Sequence, residues 1–173
     1  GVTGRAVATA LVRRGFSVGV TDDFPDAETT AAAAAMGVAL LGAPDEIALR
    51  ELLTGAAALL PTPGLPDRHP VFAIAADIGV PVMSELDLAR MWDERPIIAI
   101  TGTDGKTTVT TLVTEMLHVD GRSAEAVGNT DVPLVHAIDD PDTEVFVVEA
   151  SSFRLGHSAA FAPDVATWLN FDA

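Results

Sequence analysis

Short apolar runs alternate with helix-length segments along the whole of this 173-residue chain, and that alternation constrains its fold more than any other feature. The runs FSVGVTDD, VALLG, AAALLPTPG, VPVMSE, PIIAITG, EVFVVEASS and VATWLNF are bounded by Gly, Pro or Asp and read as buried strands. Between them RAVATALVRRG, DAETTAAAAAMG, PDEIALRELLTG, HPVFAIAADIG, ELDLARMW and KTTVTTLVTEMLHVDG read as helices, several closed by glycine. Such a series predicts an α/β protein whose parallel sheets carry helices on their faces. With 49% of residues hydrophobic and 20% charged, the chain has the apolar surface for packed cores and is not a disordered segment.

Two glycine-rich turns divide the series. The first, Gly1-Val2-Thr3-Gly4, matches the second half of a Gly-x-Gly-x-x-Gly dinucleotide fingerprint, and the strand that would precede it is not in the sequence. The second, Gly102 to Gly105, follows the run IIAI and opens a new strand–loop–helix unit. A boundary near WDERP, residues 92–96, therefore predicts a Rossmann-like domain with a parallel sheet over 1–92. A P-loop-type α/β ATPase domain over 93–173 follows it, and its sheet would be expected to continue past Ala173. Asp22 ends the first strand about 20 residues after the first turn, where such folds place a ribose contact. A plain strand–helix turn explains the same glycines, and a nicotinamide-dependent dehydrogenase is the other reading. A hydride-transfer enzyme has no need of the second anion cradle, which disfavours it.

Charge excludes other partners. The chain carries 10 Lys+Arg against 25 Asp+Glu, a formal net charge of -15, which argues against binding a nucleic-acid backbone. Any polyanion must be held by a few placed cations and backbone amides. The absence of cysteine rules out disulfides and thiolate metal sites and fits a reducing compartment. No apolar run approaches the roughly 20 residues of a membrane span and no signal peptide opens the chain, so no membrane insertion and a cytoplasmic location are expected. His69, His118, His136 and His157 match no metal-ligand spacing.

The second glycine turn carries the chemistry. The strict P-loop spacing requires glycine at position 100, where the chain has Ile100, so this loop is a shorter variant. Gly102, Thr103, Asp104 and Gly105 allow backbone amides to converge on phosphate oxygens, Lys106 supplies a point charge, and Thr107 or Thr108 offers a hydroxyl to Mg²⁺. Glu149 ends the apolar run EVFVVE at the carboxyl edge of a sheet, where it is either a solvated strand end or a second metal ligand. Asp104 is unusual, because a carboxylate beside a triphosphate is repulsive unless it faces away, faces Mg²⁺ or caps the helix.

TGTDGKTT, then GNTDVPL (128–134), VEASSFRL (148–155) and WLN (168–170), in that order and spacing, resemble the Mur ligases, and among them the branch that adds D-glutamate. GVTG, TDD, PTPGLPDRHP and PVMSELDLA resemble the UDP-binding domain of that branch, so the likeness covers essentially the whole chain. The resemblance implies a monomeric, ATP- and Mg²⁺-dependent ligase of peptidoglycan synthesis, with UDP-N-acetylmuramoyl-L-alanine and D-glutamate as substrates and an acyl phosphate between them. It implies that Lys106, Thr107 and Thr108 hold the ATP phosphates, that Thr107 and Glu149 lie near Mg²⁺, and that Asn129 contacts the muramoyl substrate. Val2, Thr3, Asp22, Asp23, Thr62 and Gly64 would line the UDP site. Ser151 and Ser152 would orient the loop around Glu149 or cap the segment after it. The family's further metal ligands and amino-acid-binding domain would lie beyond this sequence, so the chain alone is expected to be inactive; the alternative is a non-catalytic nucleotide-binding module. The family usually has Asn at Asp104, Ile-Gly at Thr130-Asp131, Ser-Pro-Gly at Thr62-Pro63-Gly64 and Gln at Arg154.

Overall fold

A computed structural model describes residues 1–172. The chain forms two compact units, Gly1–Met83 and Ser84–Ala173. The division falls ahead of the expected boundary at residues 92–96, because the helix ELDLARMW belongs to the second unit. Its first turn carries two side chains, Glu85 and Asp87, that bond to residues far along that unit.

The first unit runs α1 (Val2–Arg13), β1 (Gly19–Asp22), α2 (Ala27–Met36), β2 (Ala39–Gly42), α3 (Glu46–Leu53) and α4 (Pro70–Ile78). Side-chain caps start three of these helices. Asp26 accepts from the Thr29 N–H, Asp45 from the Ala48 N–H, and His69, followed by Pro70 at the first helical position, from the Val71 N–H. Gly37 and Gly79 close α2 and α4 in the left-handed conformation. β1 and β2 pair in parallel, Gly19 opposite Ala39 and Asp22 opposite Gly42. The apolar centre is helical: Leu49 and Leu53 of α3 pack with Val71, Ile74 and Ala75 of α4 and with Val80. The expected strands AAALLPTPG and VPVMSE reduce to one parallel bridge between Leu59 and Val82. Pro61, Pro63 and Pro81 have no N–H to give a ladder.

The second unit runs α5 (Glu85–Trp92), β3 (Ile97–Thr101), α6 (Lys106–Val119), β4 (Ala124–Gly128), α7 (Leu134–Ala137), β5 (Val145–Glu149), α8 (Ser152–Gly156) and β6 (Val165–Trp168). Its sheet has the order β4-β5-β3-β6, with every pairing parallel. β5 is buried along its whole length, as its unbroken run Val-Phe-Val-Val requires. β6 is an edge strand exposed at all four residues, so VATWLNF is not a buried strand. β1 and β2 likewise bury none of their residues. β4 escapes the sequence reading because Ala and Glu are weak strand formers. EVFVVEASS stops being strand at Glu149, where Ser151 begins to cap α8. Because all four strands run the same way, Thr101, Gly128, Glu149 and Trp168 end on one edge, the edge where open α/β sheets bind ligands. Among the described residues no helix is long and apolar enough to cross a membrane.

Candidate functional site

At that edge the chain leaves β3 and crosses to α6 through Gly102–Gly105, and the end of the chain holds this loop in shape. Asn170 accepts the Thr103 N–H at its backbone oxygen (3.2 Å), accepts the Asp104 N–H at Oδ1 (2.9 Å) and donates Nδ2 to the Asp104 carbonyl (3.0 Å). Gly105, with φ of +80°, is the N-cap of α6, and no side chain caps that helix. Asp104 therefore does not cap it: its backbone is tied to Asn170 and it is exposed. Helix geometry leaves the N–H groups of Lys106, Thr107 and Thr108 without partners inside α6, an anion-binding array at the positive end of the helix dipole. Lys106 Nζ donates back to the carbonyls of Gly102 (2.8 Å) and Thr103 (2.9 Å). An ammonium has three N–H donors, so one remains for a ligand.

One helical position further, Thr107 Oγ1 donates to Glu149 Oε2 at 2.8 Å. Asn129 Nδ2 donates to Glu149 Oε1 at 3.2 Å, and the Asn129 backbone N–H donates to the Glu149 carbonyl at 2.8 Å. Gly128 makes this approach possible. Its φ is +99°, and a Cβ there would stand 2.5 Å from the Glu149 carbonyl oxygen. Glu149 is buried, so it is no solvated strand end. The fit to Mg²⁺ follows from the donors: a hydroxyl and a carboxylate are hard oxygen ligands, and their 2.8 Å separation is near the ~3 Å between adjacent ligands of an octahedron with bonds of about 2.1 Å. Among the described residues no group of three His, Asp or Glu side chains gathers to hold a metal without further ligands.

Behind Asn129 lies a pair that no motif connects. Arg154 Nη1 donates to Asn129 Oδ1 at 3.2 Å, and its Nε stands 3.1 Å from Glu85 Oε1. The Arg154 and Glu85 side chains are only 4% and 3% exposed. Glu85 Oε2 also accepts the Val135 N–H at 3.2 Å. Burial pushes the Glu85 carboxyl above its ordinary value, opposed by the Arg154 charge and by N–H donors of Val135 and Leu134. Burial likewise pulls Arg154 down, opposed by Glu85 and then Glu149. Glu85 is 64 residues from Glu149 along the chain, roughly, and nothing local in ELDLARMW marks it. Ser151 Oγ accepts the Arg154 N–H as the N-cap of α8, while Ser152 is exposed on its first turn. Ser151 is thus a cap.

In the first unit the predicted residues form two separate contacts. Val2 and Thr3 lie inside the first turn of α1, whose N-cap is Gly1, so the expected glycine turn is already helix by Val2. A Cβ on Gly4 would lie 3.1 Å from Thr62 Cγ2, which places the PTPG loop, with Gly64 at φ +102°, directly against this helix start. At the end of β1, Asp22 Oδ1 accepts the Phe24 N–H (2.9 Å), and Asp23 Oδ2 stands 3.2 Å from His69 Nε2. His69 Nδ1 accepts the Val71 N–H at 3.2 Å, so Nε2 carries the proton and donates to Asp23. His69 is a residue the spacing argument passed over.

Residues 100–173 match the family described as Mur ligase middle domain. A relative from Desulfatibacillum aliphaticivorans named UDP-N-acetylmuramoylalanine--D-glutamate ligase is 41% identical over 98% of this chain and 38% of its own length. One of the same name from Desulfosudis oleivorans is 38% identical over 98% of this chain and 37% of its own. The chain thus spans less than two-fifths of the length of these relatives. The solved UDP-N-acetylmuramate:L-alanyl-gamma-D-glutamyl-meso-diaminopimelate ligase from Neisseria meningitides matches at a TM-score of 0.55 and 19% identity, over 95% of this chain and 57% of that one. That is a likeness of fold. The short phosphate loop backed by Glu149, the family match over residues 100–173 and the likeness of the whole chain to these relatives place it in the Mur ligase family.

Proposed function

We propose that this chain is the substrate- and nucleotide-binding part of a ligase that uses ATP to join D-glutamate to UDP-N-acetylmuramoyl-L-alanine. The observation that carries the reading is the convergence of Thr107, Asn129 and Glu149 beside the lysine-held loop at the start of α6. The names of the relatives support the choice of amino acid and sugar nucleotide. The residues suit the reaction. ATP gives its terminal phosphoryl group to the free carboxylate of the alanyl substrate and leaves as ADP. The amine of D-glutamate attacks the acyl carbon, phosphate departs, and the amine loses a proton as the amide forms. Lys106 and the N–H groups at the start of α6 offset charge on the phosphates being moved. Mg²⁺, held by Thr107 and Glu149, would neutralise more of that charge. Asn129 would contact the muramoyl substrate through the second N–H of its amide, beside the one given to Glu149. The start of α1, with the Thr62–Gly64 loop against it, suits the diphosphate of the UDP-sugar, and Asp22 and Asp23 at the end of β1 would make separate contacts to that substrate.

A cytoplasmic location agrees with the absence of cysteine, and a monomer is what the family resemblance implies. The chain by itself binds nucleotide without turnover, as its share of the relatives' length suggests. Calorimetric titration of the 173-residue chain with UDP-N-acetylmuramoyl-L-alanine, ATP with Mg²⁺, and NADH tests this. The first two bind and NADH does not. Lys106→Ala abolishes the ATP signal and keeps the UDP-sugar signal; loss of both would show that there are not two sites. Phosphate release that depends on D-glutamate would overturn the inactivity of the chain.

A further inference from the structure

A buried ion pair seldom stabilises a fold more than apolar side chains of the same volume would. Glu85 and Arg154 do something apolar residues would not: they present a donor to Asn129. A guanidinium has donors only, so the amide end facing Arg154 must be Oδ1, and the end facing Glu149 must be Nδ2. Reversed, the amide would set an oxygen against Glu149 Oε1 and an NH₂ against the guanidinium. Glu149 in turn has each carboxylate oxygen held by a different donor, Nδ2 of Asn129 and Oγ1 of Thr107.

We propose that Arg154, anchored by Glu85, is a positioning residue for the Mg²⁺–nucleotide site: it locks Asn129 as a donor to Glu149 and so fixes the plane of that carboxylate. The inference rests on the nucleotide reading above. It gives Arg154 a consequence at the metal. A hydroxyl that offers a lone pair to a cation keeps its proton, so Thr107 Oγ1 and Asn129 Nδ2 would together hold the two carboxylate oxygens of Glu149 with the cation bound.

The test uses the whole chain and two readouts. Glu85→Gln with Arg154→Met removes both charges of the pair together, so neither is left without the other. Arg154→Lys keeps a cation that only donates. Nitrogen-15 NMR reads the Asn129 side-chain amide, and ATP titrations at graded Mg²⁺ read the metal dependence. In the parent chain the two Asn129 Nδ2 protons resonate well apart. In the double variant they converge, the Mg²⁺ requirement for ATP binding rises about tenfold, and Mg²⁺-free ATP binding is unchanged. Arg154→Lys restores the separation. A folded double variant with unchanged Asn129 signals, or with an unchanged Mg²⁺ requirement, overturns the proposal. Should the double variant unfold, Arg154→Gln serves in its place, because a glutamine can accept as well as donate. One averaged set of Asn129 signals, shifted from that of the parent chain, is then expected, and an unshifted set overturns the proposal. If the parent chain fails to bind ATP with Mg²⁺, the nucleotide reading falls, and the amide signals alone decide the role of Arg154.

Discussion

The second unit closes its core around a sheet, whereas the first closes its core around helices. β5 buries all five of its residues and is flanked by β4 and β3, while β1 and β2 bury none. The two candidate sites differ in the same way. In the second unit Thr107, Asn129, Glu149, Arg154 and Glu85 hold one another through side chains. In the first, the helix start at Val2 and the pair Asp23–His69 are local contacts set by a backbone approach and a helix cap. A site built as a network should fail as a unit when one member moves. A site built from independent contacts should lose affinity in portions.

The sharpest way to break the network is Gly128→Ala. The backbone is left-handed there and the new Cβ would meet the Glu149 carbonyl, so β4 or Glu149 must shift. A loss of about 3 kcal/mol in stability is expected. ATP binding should disappear with it while UDP-sugar binding persists. Urea unfolding and the two titrations check this. Retained ATP binding would mean that the Gly128–Glu149 approach is not needed to form the site.

Asp87 tests how α5 is fixed in the second unit. Its carboxylate accepts from Ser84 N and Oγ and from the N–H groups of Ala159 and Ala160. Burial pushes its pKa up, but those N–H donors outweigh it, and the net shift is downward. A carboxyl with a depressed folded pKa stabilises the fold above its unfolded value of about 3.9 and loses that contribution as pH falls through the folded value. Asp87→Asn should cost about 2 kcal/mol near neutral pH and flatten the acid limb of a stability–pH curve. An acid limb as steep as that of the parent chain would assign the titration elsewhere.

The legible parts were those that motif spacing controls. IIAI followed by Gly-Thr-Asp-Gly-Lys-Thr-Thr places Lys106 and Thr107, and VVE at the end of a buried strand places Glu149. Glu85 and Asn170 were not assigned roles, because their partners lie in other elements and a single sequence carries no sign of which elements meet. Arg154 stood out only as a departure from the family pattern, and the structure supplies its partners, Asn129 and Glu85. Asp104 was left with three readings, of which the structure rules out the cap. Asp is a good N-cap residue, but Gly105 in the left-handed conformation takes the cap position, and the amide of Asn170 holds Asp104 by its backbone. The boundary near Trp92 erred because composition marks loops, whereas Asp87 decides where α5 packs.

His69→Ala sharpens the comparison from the other side. It removes the α4 cap and the partner of Asp23, at an expected cost of about 1 kcal/mol. UDP-sugar affinity should fall several-fold and ATP affinity should not change. Calorimetry with each ligand reads both. A fall in ATP affinity would show that the two sites are not independent.

Asp104→Asn is the smallest change and the one that tests the phosphate loop most directly. The side chain is exposed and Asn170 holds only backbone atoms, so stability should stay within about 0.5 kcal/mol. The charge is another matter. A carboxylate about 8 Å from a phosphate in water costs about 0.5 kcal/mol for each unit charge, and salt screens it over about 10 Å. Removing it should tighten ATP binding about threefold at low salt, and the gain should vanish as salt is raised. If the replacement instead weakens binding, and does so only when Mg²⁺ is present, Asp104 faces the cation. The loop would then carry a metal-side carboxylate opposite Glu149, and the second unit's network would extend to the phosphate loop itself.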